Sequence, residues 1–296
     1  MRNRHRNLAE NTIHLVFLLC GIAAVGFVLC ITVYLIISGL PAIREIGLVD
    51  FLFGTEWQPN PKSGEEAKFG ILPFILTSVY GTGGAVLIGV PIGLMTAIFL
   101  SKVSTQRIGY VIHSAVELLA GIPSVVYGLV GMIVLVPVVQ KLFHLSSGAT
   151  LLTAILVLAI MILPSIVSVS ETALNSVPKE YEEASLALGA TEMETWFKVS
   201  VPAARSGIAA AIVLGIGRAI GEAMAIIMVS GNVANMPGLF KSVRFMTTAI
   251  ASEMSYAAVG SLQRNALFSI GLVLFIFIML INLLLNVIVK GKKVEE

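Results

Sequence analysis

Residues 178 to 202, PKEYEEASLALGATEMETWFKVSVP, form a polar interval between two long apolar runs. Helix signals lie on both sides of a single break. Pro178 suits a first helical turn, Glu180, Glu182 and Glu183 complement the positive end of the dipole, and Gly189 can take the left-handed conformation that stops a helix. A second helix starts at once, because Thr191 and Glu194 have capping-box spacing and Met193, Trp196 and Phe197 share one face. Pro202 is expected to end it. Two readings fit such a segment: a solvated helical hairpin lying on a membrane, or a capped hairpin whose aromatic anchors dock into a groove of a soluble partner.

The chain around this interval is built for a bilayer. Of its 296 residues 57% are hydrophobic and only 12% charged, with a mean hydropathy of +0.95. A soluble domain of this size carries about a quarter of its residues as charges. Spans of about 20 apolar residues cross a hydrocarbon layer of about 30 Å, and six are expected, at 14 to 38, 71 to 100, 112 to 137, 150 to 170, 206 to 230 and 266 to 289. The second should tilt or kink at Pro73, Pro91 and the Gly81, Gly83, Gly84 cluster, and the third is interrupted at Gly121 and Pro123. Gly89 with Gly93, and Gly217 with Gly221, have the small-residue spacing that lets helices approach closely.

An amino terminus in the cytoplasm places eleven Lys and Arg on that side and seven on the other, so the positive-inside rule favours two cytoplasmic termini. The expected organisation is a tail at 1 to 13, a first span at 14 to 38 and an extracytoplasmic loop at 39 to 70. A core of five further spans follows at 71 to 289, and then a tail at 290 to 296. The 39 to 70 segment, with Trp57, Pro59, Pro61 and five acids, reads as a short solvated loop. The run from 14 to 38 is too long for a signal-peptide core and no small-residue cleavage site closes it, so it reads as an uncleaved span. Cys20 and Cys30 are too far apart on a helix for a disulfide. His5, His14, His113 and His144 show no metal-ligand spacing, so no metal site is expected. The net charge of +2 gives no footprint for nucleic acid.

Two charges fall where the bilayer should forbid them. Arg218 lies 13 residues beyond Arg205, about 20 Å along a helix and so near the midplane. Arginine there costs about 2.5 to 3.5 kcal/mol even on the lenient insertion scale, so it should face the bundle interior or a wet path. Glu222, four residues on, would share its face. The two could form a structural ion pair. Alternatively, Arg218 meets a translocating anion, since its planar fork suits phosphate or carboxylate oxygens. A carboxylate on an anion path repels sulfate but can accept a hydrogen bond from hydrogen phosphate, which makes Glu222 a candidate selectivity residue.

Glu183-Ala184-Ser185, Gly189 three residues on, then nine residues and Val199-x-Val201-Pro202 resemble the EAA loop of ABC importer permeases, with Ser185, Val199 and Val201 as small or apolar departures. The resemblance implies an all-helical permease whose Glu183, Ala184, Gly189 and Pro202 belong to a loop seated in a cleft of a separate ATPase subunit. The chain has no G-x-x-x-x-G-K-[ST] of its own, so the reading is a transporter subunit, not an enzyme, with no cofactor. Glu117 through Gly128 (ELLAGIPSVVYG), Gly217 through Met224 (GRAIGEAM) and Phe53-Gly-Thr-Glu-Trp57 are similar to permeases of phosphate-specific importers. Met224 through Asn232, Ala249 through Glu253 and Gly260-Ser261 resemble the PstC type. What this implies is one half of a phosphate path in a bacterial inner membrane. The implied partners are a PstA-like second permease, a PstB-like ATPase dimer and an extracytoplasmic phosphate-binding protein. Another oxyanion such as sulfate or molybdate, or a non-transporting scaffold that recruits an ATPase, are the alternatives. Glu117 receives no role.

Overall fold

The computed structural model describes residues 2–61 and 65–290, with side-chain surroundings for 13–61 and 65–284; most of the tail expected at 290 to 296 lies outside them. The fold is a helical bundle. Among the described residues five helices are long and apolar enough to cross a membrane, and a sixth is counted only if Glu192–Ala203 and Arg205–Gly221, bent by 72°, are taken together.

Helix α1 (Arg2–Ile46) is apolar on all sides and exposed through its middle, as a lipid-facing helix must be. Among its described side chains those of the far end pack on the bundle, chiefly against α14 (Leu262–Lys290). There Ser269 Oγ donates to Gly39 O at 2.6 Å and Tyr34 meets Phe268 edge to face at 5.4 Å.

The bundle is centred on α3 (Leu72–Ile98) and α7 (Leu151–Asn175). Gly89 and Gly93 form the contact their spacing suggests: a Cβ at Gly89 would lie 2.8 Å from Ile162 Cδ1, and one at Gly93 2.7 Å from Ile166 Cγ2. Any larger side chain would push the helices apart. Gly217 and Gly221 meet nothing within 4 Å, so their spacing marks no helix contact. Helix α11 (Arg205–Gly221) packs on the other side of Ile166 through Gly215.

The segment 39 to 70 is not a solvated loop. Helix α1 continues through it to Ile46, followed by α2 (Leu48–Phe53) and an antiparallel pair, β1 (Trp57–Gln58) and β2 (Lys68–Phe69), with Trp57 opposite Phe69. Phe51, Trp57 and Phe69 are buried with Phe74, Met246, Leu267 and Ile270. The five acids interleaved with these aromatics average the segment to polar, although Phe51, Trp57 and Phe69 turn into one cluster.

The third expected span divides completely. Pro123 has no N–H to donate and holds Ile122 extended, so α4 (Gln106–Gly121) is a separate amphipathic helix. The crossing that follows runs from Ser124 to Leu142, made of α5 (Ser124–Val130), a π-turn (Gly131–Leu135) and α6 (Val136–Leu142).

The fifth expected span is also broken. Helix α11 stops at Gly221, Glu222 is extended (φ −74°, ψ 128°), and α12 (Met224–Val229) starts afresh with Glu222 Oε1 accepting from Ala225 N at 3.0 Å. The chain then folds back. Val243 N donates to Ser230 O at 2.9 Å, and the Leu239 and Lys241 carbonyls accept from Leu152 and Leu151, satisfying open N–H groups at the start of α7. Helix α13 (Met246–Glu253) completes this inserted segment, with Thr247 Oγ1 donating to Glu222 O at 2.7 Å.

Candidate functional site

Two places in this bundle hold the candidate site residues, and the first is Arg218. Arg218 Nη1 donates to Ser165 Oγ at 3.4 Å. Ser165 lies 14 residues into α7 and Arg218 13 residues into α11, so each is about 20 Å from its own end of the bundle. The guanidinium lines an open recess of about 540 Å³ with Ser165, Val213, Leu214, Gly217 and Asn282. The Tyr127 hydroxyl donates to Leu119 O at 2.7 Å. Among the described residues one of the five guanidinium N–H groups is committed, to a long bond, and the others can take a multi-oxygen anion.

Glu222 does not share a helical face with Arg218, because α11 ends between them and its carboxylate turns to cap α12. Among the described residues no ion pair joins Arg218 to a carboxylate. The intrahelical pair considered from the sequence is therefore not formed. Ser165 and Asn282, which share the recess, went unnoticed in the sequence because a single polar residue in an apolar run carries no periodic signal.

The second place is the loop at 178 to 202. It folds as α8 (Lys179–Ala187), then Gly189 with φ 87°, then α9 (Glu192–Thr195), a π-turn (Trp196–Ser200) and α10 (Val201–Ala203). The capping box forms: Glu194 N donates to Thr191 Oγ1 at 3.3 Å and Thr191 N to Glu194 Oε2 at 3.2 Å. Hydrogen bonds from Lys198 and from the Thr191 backbone and hydroxyl lower the Glu194 carboxyl to about 2. Ser185 Oγ and Thr195 Oγ1 lie 2.9 Å apart and clasp the two helices. Pro202 does not end the second helix. It opens α10, and the sharp bend comes at Ala204. Glu183, Ala184, Gly189 and Pro202 are exposed, and Leu188, Met193 and Phe197 present apolar surface beside them.

The loop is tied to the bundle by Glu182. Its Oε1 meets Lys102 Nζ at 2.6 Å and accepts from Ser200 Oγ at 2.8 Å. Burial alone would raise this carboxyl, but the Lys102 and Ser200 hydrogen bonds and the Lys102 and Lys179 charges hold it below the usual range. Nearby, Glu117 pairs with His113, which also reaches Glu171 at 3.2 Å and so bridges α4 to α7. At the opposite end Glu253 accepts from Trp57 Nε1 at 3.0 Å and Gln263 Nε2 at 3.1 Å and pairs with Arg244. Arg244 in turn donates to Asn232 O at 2.8 Å and stands over the Phe74 ring.

Residues 89–292 match the family described as "Binding-protein-dependent transport system inner membrane component". The chain belongs to this family. The permease is 37% identical over 294 residues to the probable ABC transporter permease protein YqgH of Bacillus subtilis, covering 98% of this chain and 94% of that protein. It is 35% identical to the phosphate transport system permease protein PstC of Haemophilus influenzae over 288 residues, 88% and 89% of the two chains. Among solved structures, a chain of the MetNI methionine ABC transporter in an inward-facing conformation superposes with a TM-score of 0.59 at 21% identity, covering 75% of this chain and 95% of that one. The fold is thus that of an ABC importer permease, a multi-pass inner-membrane subunit that works with a separate ATPase and a substrate-binding protein.

Proposed function

We propose that this permease forms half of the translocation path of an ATP-driven importer of inorganic phosphate. The observation that carries the reading is Arg218, held at mid-depth in an open recess with no carboxylate among the described residues to neutralise it. A cation at this depth of a bilayer without a protein counter-ion is costly, and an anion passing through would supply the missing charge. The likeness to PstC of Haemophilus influenzae supports phosphate as that anion. On this reading the second permease is PstA-like, the ATPase a PstB-like dimer, and an extracytoplasmic binding protein delivers phosphate. Both termini and the 178 to 202 loop face the cytoplasm.

Arg218 attracts the anion through its free N–H groups. One Glu222 oxygen is engaged by Ala225 N, and the other accepts the hydroxyl of hydrogen phosphate, a bond sulfate cannot make near neutral pH. Glu183, Ala184, Gly189 and Pro202 shape the loop that enters the ATPase cleft. Closing of the ATPase pulls this loop, and the helices rock so that the path opens alternately to either side. The test is uptake of phosphate by the assembled complex with sulfate and molybdate as competitors. Competition by sulfate at equal concentration would overturn the assignment to phosphate.

A further inference from the structure

The docking loop has a covalent route to only two of the helices it must move. Helix α8 follows directly from α7, and α10 runs into α11 at Ala204. Helix α3, the main packing partner of α7, has no such route. The end of α3 opens into a π-turn, Phe99–Val103, that carries Lys102, and turns of this kind are frequent at functional sites.

We propose that Lys102 is the positioning residue that couples α3 to the docking loop. Its ammonium meets Glu182 of α8 at 2.6 Å, with the two side chains 12% and 21% exposed, and also reaches Leu174 O of α7 at 3.5 Å. The same Glu182 oxygen accepts from Ser200, which belongs to the second half of the loop. One ammonium and one carboxylate therefore gather the ends of α3 and α7 and both halves of the loop. The neighbouring Ser101 Oγ donates to Asn175 Oδ1 at 2.6 Å, fixing the π-turn against α7. Around them Ala97, Ile98, Leu174, Val177, Ala204 and Ile208 form an apolar cluster. Apolar packing resists compression but has no preferred direction, so a push from the loop reaches α3 through the cluster, whereas a pull or shear is carried by the short, directional ion pair.

The inference rests on the reading of this chain as an importer permease, and its tests are chosen so that the two can fail separately. In the complete complex with its ATPase, Lys102→Met keeps the apolar stem and removes the charge. Phosphate carried per ATP hydrolysed should fall by roughly tenfold, within the range of ordinary coupling energies. Glu182→Lys and Lys102→Glu should each do the same, and the two together should recover most of the loss. An unchanged ratio in Lys102→Met, or two single defects that the double reversal does not relieve, would overturn the proposal. A readout independent of the substrate is the distance between spin labels at Val103 and Glu180. It should stay constant between nucleotide-free and ATP-bound states of the parent and change in Lys102→Met. Equal behaviour of the two proteins would refute the joint even if the transported ion were not phosphate.

Discussion

Single side chains do the work at both ends and at the centre of this permease. Glu253 accepts hydrogen bonds from Trp57, Arg244 and Gln263, which come from the β-hairpin, the inserted segment and α14. Removing one partner of a mostly buried ion pair leaves the other charge uncompensated. Glu253→Ala should therefore destabilise the complex by about 3 kcal/mol, seen as an earlier thermal unfolding in detergent. Trp57→Phe keeps an aromatic ring but loses the donor and part of the buried indole, so it should cost about 2 kcal/mol. The reverse ranking would show that the aromatic packing, and not the carboxylate, holds the cap. At the centre, Glu222→Gln should raise sulfate uptake relative to phosphate, because the neutral amide no longer repels an anion without a proton. Unchanged rates for both anions would remove Glu222 from selectivity.

Among the elements, the long helices were legible in the sequence because hydropathy reports them directly, and the 178 to 202 loop because capping residues and Gly189 punctuate it. The segments 39 to 70 and 222 to 261 were not. Each is built of short pieces whose apolar residues are separated by polar ones, and only their meeting in space reveals the pattern. Trp57 and Glu253, which bond across 196 positions, both lie in stretches that carried the resemblance to phosphate permeases, yet nothing in either stretch alone shows the contact. Arg218 was legible from its depth, whereas its separation from Glu222 was not, because the break after Gly221 depends on Glu222 capping a helix that periodicity runs together with α11.

The α3 and α7 contact gives a direct test at this scale. Gly89→Leu must displace Ile162, whose Cδ1 lies 2.8 Å from the Cβ position, and should cost about 1 to 3 kcal/mol. Gly83→Ala, where nothing lies within 4 Å, is the control and should melt with the parent. The loop makes a second prediction. With Glu194 lowered to about 2 from its ordinary 4.5, its contribution to the cap is complete above the ordinary value and fades as pH falls through the lowered one. Amide exchange at 192 to 195, corrected for intrinsic rate, should be constant from neutral pH down to that ordinary value and rise only in stronger acid. A rise beginning near neutrality would mean that another group holds the cap.

For the molecule as a whole, the central claim is that Arg218 lies on the path of the transported anion and is not merely a part of the bundle. Phosphate uptake and ATP hydrolysis measured in parallel on the assembled complex carrying Arg218→Ala test it most directly. Loss of a charge-assisted hydrogen bond is worth about 1.5 to 3 kcal/mol, or roughly 10- to 100-fold. Uptake should fall by that factor while the complex assembles and its ATPase still turns over. Phosphate uptake at the parent rate in the Arg218→Ala complex would contradict it.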